Sequence, residues 1–149
     1  MNVQTILSEE LTVLQSDIIA RHQAAGQVAS GKAKAAFEIK ATDQNGQLLG
    51  VGYSGTLERG RKPGKTPTDF VDILKKWIIA KGLTFKDEKD LTRWANAIKW
   101  KIIKEGTKLY RSGQSEDIFT TPINQFNQRM TVRISAFYEQ EIINEIFNK

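Results

Sequence analysis

One stretch of this chain alternates apolar and polar residues as a half-buried strand does. It runs Phe37-Glu38-Ile39-Lys40-Ala41-Thr42 and, beyond "DQNGQ", Leu49-Gly50-Val51-Gly52-Tyr53. The pair predicts a β-hairpin. Its faces select the turn. A two-residue turn at Asn45 and Gly46 sets Leu49 opposite Thr42 and splits the apolar residues between faces. A three-residue loop, 44–46, pairs Phe37 with Tyr53, Ile39 with Val51 and Ala41 with Leu49, all on one face. This predicts a type I turn with Gly46 left-handed in a bulge.

Around the hairpin the period is helical. Val3, Leu7, Leu11, Leu14 and Ile18 share a face of a helix over 3–24, and Gly26 is its stop. "VASGKAKAA" (28–36) reads as a loop. A second helix takes Thr66 as cap, Pro67 in its first turn and Asp69 in a capping-box spacing. Its buried stripe is Phe70, Ile73, Leu74, Trp77 and Ile78, and Gly82 ends it. A third helix, about 87–105, buries Leu91, Trp94, Ala95, Ile98 and Ile102, with Trp100 on a second surface. Segment 109–117 reads as a loop. A last helix starts at Thr121 and Pro122 and runs about 25 residues on Phe126, Met130, Ile134 and Phe137, drifting to Tyr138, Ile142 and Ile146. The fold class is therefore α+β: an N-terminal helix, a small antiparallel sheet, then two to three helices, the last one long. The 149 residues have the size of a single domain, 1–149.

The hairpin, the stretch "ERGRKPGKTP" (58–67) and the helix after it invite comparison with a phosphate-binding loop. That loop needs G-x-x-x-x-G-K-[ST] so that consecutive N–H groups wrap the phosphates. Here only three residues separate Gly60 from Gly64, position 59 is Arg, and Pro63 lacks an N–H. The preceding strand is half-polar, unlike the apolar strand of a parallel sheet. Neither ATP nor GTP binding is expected.

Other chemistry is equally thin. With no cysteine, thiol nucleophiles, cysteine-ligated zinc and iron–sulfur clusters are excluded. The lone histidine, His22, reads as surface or edge packing. Asp87, Glu88 and Asp90 open a helix, where acidic residues favour the dipole, so they read as a helix start and not a metal site. No catalytic residue, metal ligand or cofactor is expected, and no enzyme. No run approaches the ~20 apolar residues of a membrane span, and the acidic start with no small-residue cleavage site predicts no secretory signal. The net charge of +5 permits acidic partners, protein or nucleic acid.

Four cations, Arg59, Arg61, Lys62 and Lys65, fall within seven residues stiffened by Pro63. They form a candidate docking loop for an acidic surface or a phosphate backbone. A weaker nucleic-acid signal is Trp100 among Lys99, Lys101 and Lys104.

"LERGRKPG", then "TPTDFVDILKKWIIAKGL", then "AIKWKIIKEGT" resemble the tail-completion, or head–tail joining, proteins of tailed double-stranded DNA bacteriophages, in the form associated with phages of Bacteroidetes. The matching elements are Ser30 with Gly31, Tyr53, and residues 57–64, 77–82 and 102–107. A Pro-Phe pair usual after the last motif is replaced by "TKLYRSGQ". The resemblance implies a non-enzymatic virion protein, assembled in the host cytoplasm. It implies a ring of copies in the neck between portal and tail, in contact with other virion proteins and near packaged DNA. The rival reading is a small basic nucleic-acid-binding protein.

Overall fold

A computed structural model describes residues 2–29 and 31–147. Ser30, one of the residues carrying the resemblance, lies outside them. The described residues are mixed α+β and mostly helical, 65% helix and 6% strand. In order, the described residues form α1 (Val3–Ala24), α2 (Lys32–Ala35), β1 (Glu38–Ala41), β2 (Gly46–Leu49), α3 (Ser54–Arg59), α4 (Phe70–Ala80), α5 (Glu88–Glu105), α6 (Lys108–Ser112) and α7 (Thr120–Phe147). Contacts group them into two compact units. The first holds the described residues of 1–26, 33–51 and 117–149, the second those of 27–32 and 52–116.

In the first unit, α1 starts where Asn2 accepts the Thr5 N–H at 2.8 Å, which satisfies a donor that the helix itself cannot. Gly26, at φ +65°, follows its end. The expected stripe is buried at Leu11, Leu14 and Ile18, together with Ile6. His22 continues that stripe one turn on and is buried, which corrects the surface reading. The stripe also carries Glu10, only 5% exposed. Glu10 accepts hydrogen bonds from Arg129 Nε at 2.6 Å and Arg133 Nη1 at 3.0 Å, both on α7. Arg133 also reaches Glu9 at 2.6 Å, and Arg21 pairs with Asp117 at 2.7 Å. The two helices are thus antiparallel, α1 rising in number as α7 falls.

The hairpin lies against α1, but in a different register from the expected one. Ile39 faces Leu48 and Ala41 faces Gly46. Leu48, not Leu49, is on the inner face, and Val51 and Tyr53 lie outside the sheet. The turn is 42–45: the Thr42 N–H donates to the Asn45 carbonyl at 2.7 Å, and its hydroxyl accepts the Asn45 N–H at 3.0 Å. Gly46 is not left-handed. It is glycine for space, since a Cβ there would meet Leu7 Cδ2 at 2.9 Å and Leu11 Cδ1 at 3.1 Å.

In the second unit, α4 packs on α5 through Phe70, Leu74, Ile78, Leu91 and Ala95, with Ile98 and Ile102 beside them. Ile73, Trp77 and Trp94 are exposed, which corrects their assignment to the core. The helix α4 begins at Phe70 without a side-chain cap, so Thr66 does not cap it. Asp87 caps α5 by accepting the Asp90 N–H at 2.8 Å. Two expected loops contain short helices, α2 and α6, the latter capped by Thr107. The last helix, in the first unit, starts at Thr120, and Asp117 Oδ1 accepts the Thr121 N–H at 2.9 Å.

Candidate functional site

The four loop cations are not equivalent. Residues 52–56 do not continue a strand into the loop. They turn instead into α3, which ends in Arg59. Gln27 Nε2 donates to the Leu57 carbonyl at 2.7 Å, and the Glu116 N–H donates to the Glu58 carbonyl at 3.0 Å, fixing α3 within the second unit.

Beyond α3 the chain runs along the segment that follows α5. The Arg61 N–H donates to Thr107 Oγ1 at 2.9 Å, and the Thr107 N–H donates back to the Arg61 carbonyl at 2.9 Å. The Gly64 N–H reaches the Ile103 carbonyl at 3.0 Å. Two glycines allow the two segments of this junction to approach. Gly60, at φ +78°, would with a Cβ come within 2.4 Å of Tyr110 N. Gly106, at φ +79°, would come within 2.7 Å of the Arg61 carbonyl oxygen. Left-handed backbone and close contact together leave no room for another residue. The motifs "LERGRKPG" and "KEGT", far apart in sequence, are therefore the two sides of one junction.

Several backbone donors of the loop have partners inside the protein. The Gly60 N–H donates to the Thr56 carbonyl, and the N–H groups of Arg61 and Gly64 are used as above. Pro63 has none. These three donors are engaged within the protein.

Arg61 is also committed inward. Its guanidinium lies 5.3 Å from the centre of the Phe70 ring and donates to the Lys65 carbonyl at 2.7 Å. Arg59, Lys62 and Lys65 are exposed. The outward charge of the loop is carried by those three, and Arg61 is a clasp. A planar side chain able to stack and to donate in a fork suits that place better than lysine would.

A second charged surface lies on α5. Trp100 is 67% exposed, with Lys101 and Lys104 exposed beside it. Trp94 and Ala97 border an open groove with Arg93 and Ile98. At the start of α5, Glu88 pairs with Lys75 at 2.8 Å. The backbone N–H of Lys86 and the Arg93 guanidinium hold the Asp90 carboxyl below its ordinary range. The acidic cluster thus serves the helix start, and no group of three or more His, Cys, Asp or Glu among the described residues is placed to hold a metal. No helix of the described residues is long and apolar enough to cross a membrane. Compared with protein-family models, curated proteins and solved structures, the chain matches none of them.

Proposed function

We propose that the chain is a structural, non-enzymatic virion protein of a tailed phage, a ring subunit of the neck that joins the connector to the tail. The observation that carries this reading is the junction. The motifs behind the resemblance, 57–64 and 102–107, are hydrogen-bonded to each other. They hold Arg59, Lys62 and Lys65 outward on a braced loop. Pre-organised cations lose little entropy on docking against an acidic neighbour.

The test is to complement a phage lacking the gene with the Lys62→Ala, Lys65→Ala double variant. The unfolding midpoint should shift by no more than about 0.5 kcal/mol equivalent, since both side chains are solvated. Heads should fail to join tails, and filled heads should lose DNA. Infectious particles at wild-type yield would reduce the loop to a solvated turn. A wild-type chain that is absent from purified particles would end the virion reading altogether.

The exposure of Trp100 beside Lys101 and Lys104 favours one rival, a nucleic-acid binder that stacks bases on the indole. Its signature is single-strand affinity that falls steeply with salt.

A further inference from the structure

The ion pairs of α1 with α7, and with Asp117 just before it, set a register. Arg21 meets Asp117, and Glu10 meets Arg129 and Arg133. Continued at 1.5 Å per residue, that register brings the start of α1 opposite about residue 139 of α7. Residues from there to Phe147, about two turns and ~12 Å of helix, pass beyond the start of their partner. Every residue of 138–147 is exposed.

The overhang is not a polar tail. Tyr138, Ile142 and Ile146 form a stripe at four-residue spacing, with Ile143 and Phe147 to one side; Phe147 is 75% exposed. Turns that extend a packed helix need no nucleation, but an apolar stripe raises the cost of leaving them bare. Its charge is of one sign. Glu139, Glu141 and Glu145 flank the stripe, and no Lys or Arg occurs between Arg133 and Phe147. Two such ends laid side by side would repel.

The complementary surface is on α5. Helical spacing puts Arg93, Trp94, Ala97, Trp100, Lys101 and Lys104 on one outward face of about 120°. All six are exposed. The tryptophans edge this face, the open groove at Trp94 and Ala97 lies on it, and lysines stand where the glutamates of α7 need partners.

We infer that the overhanging end of α7 in one copy seats on the α5 face of the next copy, Ile142 and Ile146 against Trp94 and Trp100, Glu141 and Glu145 against Lys101 and Lys104. The two patches differ, so the contact is head-to-tail, and repeated it gives a ring or an open filament. It uses none of the loop cations and does not depend on the virion reading.

The test needs only the purified full chain. Sedimentation velocity over a concentration series should show a mass rising above the 16.8 kDa of one chain. Tryptophan emission should shift to the blue as Trp94 and Trp100 are covered. Glu141→Lys with Glu145→Lys, and separately Lys101→Glu with Lys104→Glu, should each weaken association by about tenfold or more, while an equimolar mixture of the two variants restores it. Thermal unfolding of each variant establishes that it folds. For a variant that fails this check, Ile142→Ser with Ile146→Ser replaces the α7 reversal, and Trp100→Ser the α5 reversal.

A monomer at every concentration up to about 1 mM overturns the inference. So does association weakened by the α7 changes and indifferent to those on α5, which would mean another face takes the helix. Loss of DNA binding on Lys101→Glu with Lys104→Glu, in a chain that never self-associates, would assign the α5 face to nucleic acid instead. Because no phage is involved, a failure here leaves the complementation test standing, and the reverse holds too.

Discussion

In the first unit the two longest helices come from segments 96 to 124 positions apart and meet across an ionic cluster. In the second, α4 and α5 are neighbours in sequence and meet through an apolar cluster with the Lys75–Glu88 ion pair at its edge. The contrast shows two ways of fixing a helix pair. An apolar seam fixes its register by shape, and a shift of a full turn still sets apolar side chains against apolar ones. A carboxylate held by two guanidiniums does not allow it, because a shift leaves a buried charge without partners. The long pair, whose register decides how far α7 projects, is the one with the charged pin. The short pair gets its order from the glycine junction beside it.

The largest way to break the comparison is Gly60→Ala. The Cβ would sit 2.4 Å from backbone Tyr110 N at a φ of +78°. We expect a loss of about 3 kcal/mol, from left-handed strain and a contact that only backbone movement can relieve. Hydrogen exchange should rise over 57–64 and 106–112 and spare α1 and α7. Equal loss of protection in α1 and α7 would mean that the two units open together and that the distinction has no energetic content.

Next is Glu10→Gln. Burial pushes the Glu10 carboxyl up, but the hydrogen bonds and charges of Arg129 and Arg133 outweigh it and hold the group below the ordinary glutamate range. The amide leaves the part-buried Arg129 guanidinium without its anion and Arg133 with Glu9 alone, a loss of about 2 kcal/mol after allowing for their access to water. The pH dependence carries the sign. A depressed carboxyl contributes stability that is fully present above its unfolded value, about 4.3, and is lost as pH falls through the folded one. Asp117, held low by Thr121 and then Arg21, acts in the same direction in the same unit. Glu10→Gln should therefore flatten the acid side of the stability profile, read from urea midpoints between about pH 5 and 3. An unchanged acid slope would show that the cluster is not the pin described here.

The smallest is Gly46→Ala. The new methyl meets the ends of the Leu7 and Leu11 side chains, which can swing, so about 1 kcal/mol is expected. A midpoint that does not move would show that the hairpin rests loosely on α1 and adds nothing to the register.

The helices were readable wherever an apolar stripe ran up to a glycine, as in α1, α4 and α5. Their buried faces proved narrower than the patterns suggested: Trp77 and Trp94 have core-like spacing and yet are exposed, because periodicity gives the face and not its width. The hairpin register was not readable. Leu48 and Leu49 are adjacent, so alternation permits two opposite assignments. The choice between them rests on the Thr42 hydroxyl and on the room Gly46 makes for α1, both visible only once α1 is in place. At the candidate site, the density of cations was plain from sequence. That Arg61 would be drawn inward was not, because Phe70 and Thr107 lie in other segments. The Glu10 cluster had a faint signal, an acidic residue inside an apolar stripe, with its partners 119 and 123 positions away.

The distance between those partners has a consequence during synthesis. Ribosomes add about 5–20 residues each second, so Glu10 leaves roughly 6–24 s before Arg129 does. In that interval the segments of the second unit emerge and can close on themselves. The stripe of Ile6, Leu11, Leu14 and Ile18 is meanwhile without the helix that completes its cover. The first helix made is among the last to be finished, and for those seconds it is an apolar surface on offer to chaperone holdases or to a neighbouring nascent chain.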